Sequence, residues 1–295
     1  MNVFSRILRA FACAAALSAA GQDLECFEES NEAVRDDVLK DLGIKNKKDS
    51  LSAEDFILGS DSPPHSKLQS LTSMAENFEK KENRKKAMAV YWKTLEIKAL
   101  SPGDKAKAAV MVLKAANRFS SDLKTGNTTL EFYEDQVRAS DTAFPLALKA
   151  LETAATREEY TSAFFLLMDG AKDAHGPHAA EYVRQTLDLA EAGLDSGKFV
   201  SPAAMIPYLI NTAKRGAKGE CSSRVPGLLQ RQIRLQRLPQ ARLKPMYELA
   251  STYYFQEHDL KKAREVLDQA LAVEGGPRTV KEKCRTLWDF LDDRD

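Results

Sequence analysis

The chain has 295 residues, with 43 basic and 43 acidic side chains and a formal net charge of zero. A chain with no excess of positive charge lacks the composition of a general nucleic-acid-binding protein, so we expect no nucleic-acid partner. Leu, Ala, Lys and Glu abound, and apolar residues rarely alternate with polar ones, which predicts an all-α fold with almost no β-sheet.

Residues 1–20 have the organisation of a secretory signal peptide. Arg6 and Arg9 give a basic start, an uncharged apolar run covers 11–20, and small residues precede Gly21. The run is too short to span a membrane, and no later segment is long and apolar enough to do so. We predict a secreted or periplasmic protein. A mitochondrial presequence is the alternative, because the range 1–22 contains no acid.

Residues 21–65 read as an acidic, partly flexible arm. Within 21–62 there are 12 acidic and five basic side chains, a net charge of −7. A short helical turn is expected to begin at Ser52, and the consecutive prolines that start at Pro63 mark a break. The sequence therefore predicts a helical domain over 66–295.

Two segments inside that domain match each other at a constant offset, the one that carries Ala87 onto Ala263. Residues three, four and seven apart share one face of a helix, and each segment has two such stripes of small and bulky side chains. The first segment contributes Leu71, Met74, Ala75, Phe78, Ala87, Tyr91, Thr94 and Leu95, and the second contributes Tyr247, Ala250, Ser251, Tyr254, Ala263, Leu267, Ala270 and Leu271. The connecting turns align as well, with Asn83 over Asp259. We expect Ala87 and Ala263 to lie between neighbouring helices.

A third, weaker copy and a terminal helix complete the pattern. The third copy has its turn at 157–159 and contributes Ala147, Ala150, Leu151, Ala154, Tyr160, Ala163, Leu167 and Gly170. The last helix carries one apolar face, formed by Cys284, Leu287, Trp288 and Leu291. A charged face lies opposite, as expected for a helix that closes the open core of a repeat array.

These spacings resemble the tetratricopeptide repeat (TPR), a family of helix pairs with a period of about 34 residues, and the offset is about five such periods. The resemblance covers 66–292, although neither copy has the family's Trp or Gly and the closing proline has moved to Pro102 and Pro277. It implies a TPR-like α-α superhelix, a right-handed solenoid of antiparallel helix pairs. It also implies a non-enzymatic scaffold or adaptor that holds a protein or peptide partner in a concave groove.

In that family the groove is lined by outward residues of each pair's first helix. Carried to this chain, the resemblance implies that the partner contacts Thr72, Glu76, Glu79, Glu248, Thr252 and Phe255. Phe255 is an aromatic anchor in this interpretation.

Residues 221–247 contain six basic side chains and no acid. A helix that starts near Val225 would place Arg231, Arg234 and Arg237 opposite its apolar face. The simplest interpretation of this Arg-rich face is an ordinary solvent-exposed surface. The functional ones are capture of an acidic peptide, or binding of an anionic lipid or polysaccharide surface through an Arg-rich helix over 224–242.

Catalytic chemistry has weak support in the sequence. His175, His178 and Glu181 are candidate metal ligands, but they surround an expected helix start where polar residues are ordinary, so we predict no metal and no cofactor. The alternative to a scaffold is an all-α enzyme with a pocket at about 169–181. Besides Cys13 of the signal segment, three cysteines leave two interpretations open, buried thiols or a Cys26–Cys221 disulfide.

Overall fold

The computed structural model describes residues 52–120 and 132–292, and those ranges are helical with no β-strand. The predicted all-α class is confirmed there. The predicted signal peptide and most of the predicted acidic arm lie outside the described residues.

Twelve α-helices occur in the described ranges. They are α1 (Ala53–Gly59), α2 (Pro64–Lys80), α3 (Arg84–Lys93), α4 (Pro102–Ser120), α5 (Tyr133–Glu152), α6 (Arg157–Lys172), α7 (Ala179–Asp195), α8 (Pro202–Arg215), α9 (Val225–Leu235), α10 (Pro239–Phe255), α11 (Leu260–Ala272) and α12 (Arg278–Asp292). Short 3₁₀ turns follow α3 at Thr94–Glu96 and precede α9 at Gly216–Gly219 and Ser222–Arg224.

The compact unit that starts at Ile57 is built by packing along the chain. Its helices pack mainly on helices one or two positions away, such as α4 on α5 and α6, or α10 on α9, α11 and α12. Short connections make consecutive helices antiparallel. The buried side chains form two clusters, one spanning α2 to α5 and the other extending from Ala106 of α4 to α12. Such sequential packing is the organisation expected of a helical repeat array.

The turns of the two matching segments have the same backbone structure. Asn83 and Asp259 each cap the following helix, accepting the backbone N–H of Lys86 at 3.2 Å and of Lys262 at 2.9 Å. The residue before each cap has a positive φ, 58° at Glu82 and 54° at His258. The offset expected from the sequence is therefore confirmed in both turns.

The second helix of each pair also follows that offset. Ala87 and Ala263 are fully buried, as expected, and the next core positions, Tyr91 and Leu267, are buried as well. Small residues at the start of α3 and α11 let each helix approach the preceding one closely.

The buried positions of the first helix of each pair, α2 and α10, are related by an offset that is one residue shorter. This offset carries Ala75 onto Ala250. The apolar stripe of α2, formed by Leu68, Leu71, Ala75 and Phe78, corresponds to Leu243, Met246, Ala250 and Tyr253 in α10. Of the expected core stripe, Ala250 is fully buried, while Tyr247, Ser251 and Tyr254 are half-buried, with both tyrosines packed against the main core. The most deeply buried stripe of α10 therefore lies one residue earlier than expected. The connection after α10 is one residue longer, Gln256–Asp259 against Lys81–Asn83, which absorbs the shift.

Other predicted boundaries differ less. The turn expected at 157–159 instead forms the first residues of α6, because Thr156 and Glu159 make a reciprocal capping box that starts the helix. The terminal apolar face is confirmed, with Cys284 and Leu291 fully buried. The turn expected at Ser52 is also present, since its hydroxyl accepts the N–H of Asp55 at 3.1 Å.

Candidate functional site

Three consecutive helices, α9, α10 and α11, line an open groove with a volume of about 430 Å³. Both walls come from helices that run antiparallel to α10, which forms the floor. The lining side chains are Gln230, Ile233, Arg234, Met246, Leu249, Tyr253, Lys262, Glu265, Val266 and Gln269.

The floor of the groove is apolar. Met246, Leu249 and Tyr253 are buried residues of α10 that belong to the main core. The side-chain amide of Gln230 donates to the Tyr253 hydroxyl at 2.7 Å, which fixes the phenol against the α9 wall. An occupant would therefore meet a preformed apolar surface beneath polar walls.

The rim carries both signs of charge. Lys262 forms an ion pair with Asp259 at 3.0 Å and lies 5.5 Å from the centre of the Tyr253 ring. Arg234 is exposed on one wall, and Glu265 stands on the opposite wall. Within the described part of the chain neither forms an ion pair, so both remain available to an occupant.

The predicted Arg-rich face is divided by the structure. Helix α9 ends at Leu235, so Arg237 lies in the connection to α10, and the expectation of one helix over 224–242 is wrong. Arg231 contacts Asp195 of α7 at 2.5 Å, and Arg224 contacts Asp188 at 2.6 Å. These two arginines hold α9 beside α7, whereas Arg234 faces the groove.

The outward residues expected on α2 are only partly open. Glu76 is exposed, but Glu79 accepts two bonds from the Arg118 guanidinium, both at 3.0 Å, and one from the Tyr91 hydroxyl at 3.2 Å. The Thr72 hydroxyl donates to the Leu68 carbonyl at 2.8 Å. Glu79 therefore joins α2, α3 and α4, and its carboxylate is already occupied.

The prediction that Glu248, Thr252 and Phe255 line a groove on α10 differs more from the structure. Thr252 is buried, and its hydroxyl donates to the Glu248 carbonyl. It is buried because α10 is packed on more than one side, against α9, α11 and α12. Phe255 is 65% exposed, with its ring packed edge-on against Tyr254. The groove lies on a different face of α10 from Glu248, Thr252 and Phe255.

Residues 169–181 contribute to a polar cluster between α4, α5 and α6. Asp169 lies between Lys114 at 2.6 Å and Lys172 at 3.3 Å. Burial raises the pKa of Asp173 and lowers the pKa of His175. The Asp169 carboxylate and the Lys114 and Lys172 ammonium groups form ion pairs that join α4 to α6, an arrangement that favours a structural role for the cluster.

A chain of amide hydrogen bonds ends at His175. The Asp173 carbonyl accepts from Asn117 Nδ2 at 2.9 Å, and Asn117 Oδ1 accepts from Gln136 Nε2, also at 2.9 Å. Gln136 Nε2 therefore presents its second N–H to His175 Nε2, 3.5 Å away. Since a carbonyl cannot donate, this order favours a neutral imidazole with its proton on Nδ1. His178 and Glu181 are not part of it, and no group of three or more metal-ligating side chains converges within 52–120 and 132–292.

Cys221 and Cys284 are buried free thiols, and burial raises the pKa of both. Cys26 lies outside the described residues. The buried-thiol interpretation is confirmed for Cys284, and Cys221 carries no disulfide in the structure.

No protein-family model matches this chain, and no curated protein is significantly similar to it. Across the described ranges, every helix is too short or too polar to cross a membrane. The candidate site therefore stands on its own geometry.

Proposed function

We propose that the chain is a non-enzymatic scaffold of the TPR-like kind, exported by the segment 1–20, which holds a peptide segment of a partner protein in the α9–α11 groove. The observation that carries this proposal is the groove itself, an apolar floor between two helical walls with an uncommitted charge on each wall.

The dimensions support a peptide side chain as the occupant. A volume of about 430 Å³ lies at the lower end of the range for ligand pockets, about 300 to 1,000 Å³. Peptides recognised in grooves between helices insert apolar anchors and place polar residues at the edge. Met246, Leu249 and Val266 offer the apolar contact here.

The charges define the flanking residues of that peptide. Arg234 presents a planar guanidinium that can bind a carboxylate with two hydrogen bonds. Glu265 on the opposite wall would favour a basic residue. We therefore expect a segment in which an apolar anchor is preceded or followed by an acid, with a cation on the other side.

Panning a displayed library of random peptides against the full chain tests this function. Selected peptides should carry an apolar residue beside an acid. Their binding should weaken about tenfold or more in Arg234→Glu, since a charge-assisted pair contributes about 1.5 to 3 kcal/mol. Lys261→Glu is the matched control, because this exposed cation lies outside the groove.

Phe255→Ser separates the two candidate faces. If the α9–α11 groove is the site, this change should leave peptide binding unaltered. Loss of binding in Phe255→Ser together with full binding in Arg234→Glu would refute the groove and favour the face expected from the family resemblance. The thermal unfolding of each variant should match that of the native chain.

A further inference from the structure

Three aromatic side chains at the ends of α10 and α12 form one exposed surface. The ring centre of Tyr254 lies 4.6 Å from that of Phe255 and 5.7 Å from that of Phe290, with an edge-on arrangement in both pairs. Phe255 is 65% exposed and Phe290 is 43% exposed. We call these three side chains the aromatic patch. Because the rings are in contact, the patch is a single feature and not three scattered side chains.

The aromatic patch has two projecting rings and a lower one. Tyr254 is half-buried and packs against the main core, whereas both phenylalanines are exposed. Since Tyr254 contacts both of them, its ring forms a lower step beside each projecting ring. A surface that covers this relief needs a projecting ring of its own and a step that receives one. A second copy of the patch supplies both.

The patch lies where two parallel helices end. Helix α11 packs on both α10 and α12, and short connections make it antiparallel to each of them. Helix α10 ends at Phe255, and α12 ends at Asp292. The earlier residues of both helices therefore extend from the patch in the same direction.

Two exposed cations lie along that direction. Lys283 precedes Phe290 by seven residues and Lys244 precedes Phe255 by eleven, and residues at these spacings share a helix face. Neither lysine forms an ion pair with a described residue. Glu248 lies on the same face of α10 but is half-buried. The fully exposed charge on this side of the patch is therefore positive.

Two exposed acids lie at the other side of the patch. Glu257 follows α10 in the turn to α11, and Asp289 belongs to the last turn of α12, next to Phe290. Within the described ranges, neither carboxylate has an ion-pair partner. Lys261, in the first turn of α11, adds an exposed cation to this end. Both signs of charge are therefore present, with the acids closer to the rings along the chain.

The other charges at this end are paired or face elsewhere. Lys262 pairs with Asp259 at 3.0 Å, and Arg264 pairs with Asp292 at 3.9 Å. Arg285 precedes the α12 phenylalanine by five residues, a spacing that turns it toward the opposite side of the helix.

The order of the exposed charges fits a two-fold arrangement. When two copies of the patch meet across a two-fold axis perpendicular to α10 and α12, the helices of the two copies run antiparallel. Lys244 and Lys283 of one copy then lie toward Glu257 and Asp289 of the other, on both sides of the axis. A partner with charges of one sign would be repelled by two of these four side chains. The chain has no net charge, so two copies do not repel each other as wholes.

We propose that the aromatic patch joins two copies of this chain in a two-fold symmetric dimer. Aromatic side chains are enriched at the centre of protein interfaces. The two phenylalanines together expose about 200 Å² per copy, roughly a quarter of the area that each partner buries in a standard interface. The charged sides of α10 and α12 add to this area, and we expect a dissociation constant in the micromolar range. The α9–α11 groove lies on a different face of α10, so the two proposals can fail independently.

Sedimentation equilibrium of the full chain tests the proposal. The native chain should show a reversible equilibrium between monomer and dimer. Phe255→Ser should raise the dissociation constant about 30-fold or more, the effect that defines an interface hot spot, because the ring is removed from both copies. Tyr208→Ser is the exposure-matched control. It removes a side chain that is 54% exposed on α8 and should leave the equilibrium unchanged.

An exchange of charges tests the two-fold arrangement. Lys244→Glu/Lys283→Glu makes all four exposed charges acidic, and Glu257→Lys/Asp289→Lys makes all four basic. Each variant alone should associate more weakly than the native chain, because like charges then face each other. An equimolar mixture of the two should recover the dimer, because every facing pair has opposite signs.

Two controls separate this recovery from general attraction between an acidic and a basic chain. Phe255→Ser added to both members of the mixture should abolish the recovery. Lys107→Glu/Lys214→Glu alters exposed cations of α4 and α8 and has the same net charge as the acidic variant. It should form a dimer as the native chain does.

Three outcomes would overturn the proposal. The first is a native chain that stays monomeric throughout the micromolar range. The second is a dimer that Phe255→Ser does not weaken. Every variant keeps the same N-terminal segment, so this result would also reveal association through that segment. The third is a mixture of the two charge variants that associates no more strongly than either variant alone.

Discussion

The helix pairs α2–α3 and α10–α11 share a turn and a second helix but differ in the setting of the first helix. Both turns place a residue with positive φ before an Asn or Asp cap. The backbone N–H of that cap reaches back to Phe78 in one pair and to Tyr253 in the other, at 2.9 Å in both. These two acceptors follow the shorter offset of the first helices, whereas the caps follow the longer offset of the turns.

The two pairs also differ in the surfaces that they present. In α2, Glu76 is exposed, whereas Thr252, its counterpart in α10 under the longer offset, is buried. The second helices differ as well. Val90 of α3 is buried, but its counterpart Val266 is only half-buried and lines the groove. The two pairs therefore teach that a repeated core pattern can carry different surfaces.

The largest expected effect comes from overpacking the core of α10, which tests the one-residue shift of this helix. Ala250 is fully buried, whereas Ser251 is half-buried. Ala250→Leu should overpack the core and lower the free energy of unfolding by about 1 to 3 kcal/mol. Ser251→Leu should cost clearly less. Urea denaturation of both variants measures the order, and a greater cost at Ser251 would show that the longer offset is the correct one for α10.

The next effect compares the two caps. Asn83→Ala should lower stability by about 1 kcal/mol, because the N–H of Lys86 loses its acceptor. Asp259→Ala should also destabilise, but with a dependence on pH. Bonds from Lys262 hold the pKa of Asp259 below its usual value of 3.8, so its contribution is present above that pH and is lost as the pH falls through the lowered pKa.

Unfolding curves at neutral and acidic pH check this pair. The loss from Asp259→Ala should shrink on acidification, while the loss from Asn83→Ala should stay constant because an amide does not titrate. An Asp259→Ala effect that is equal at both values of pH would contradict the assignment.

A smaller effect, on stability at alkaline pH, is expected at Tyr91 of α3, whose equivalent in α11 is Leu267. Burial and the Glu79 carboxylate raise the pKa of Tyr91 from 10.0 to about 12. The unfolded chain therefore releases this proton first, and stability should fall as the pH rises from 10 to about 12. Tyr91→Phe should reduce that alkaline loss, as measured by urea denaturation at several values of pH. Part of it should remain, because burial and Asp141 similarly raise the pKa of Tyr182 to about 12.

The smallest effect concerns Ser251. Its hydroxyl oxygen is buried without a hydrogen-bond partner in the structure. Ser251→Ala removes an unsatisfied polar group, so stability should stay equal or rise by up to about 1 kcal/mol. Thermal unfolding measures the change. A clear loss of stability would mean that the hydroxyl has a partner in solution.

The sequence was informative where one helix packs by local rules. The spacing of Ala87 and Ala263 in front of bulky residues predicted their burial, and the aligned polar turns predicted where the helices of each pair are connected. The count of residues between Phe78 and Asn83, compared with that between Tyr253 and Asp259, held a signal for the shifted register. It was not decisive, because Tyr253 and Tyr254 are adjacent and either could face the core.

The site depended on contacts between distant segments. Arg231, Arg234 and Arg237 look alike in the sequence, and only their neighbours distinguish them. Arg231 forms an ion pair with Asp195 of α7, and Arg234 lines the groove. Arg237 lies beyond the end of α9, in the connection to α10. The Asn117–Gln136–His175 chain likewise joins residues from three parts of the array, and no local pattern indicates it.

The amino-acid sequence by itself determined that the described chain folds as helices, where its polar turns fall and which small residues are enclosed. These properties follow from periodicity and capping, which act within a few residues of one another. The tertiary structure decided which face of α10 is covered, which arginines are neutralised and where a groove stays open. Those outcomes depend on how whole helices are rotated and set against their neighbours, because a rotation by one residue exchanges buried and exposed side chains along an entire helix.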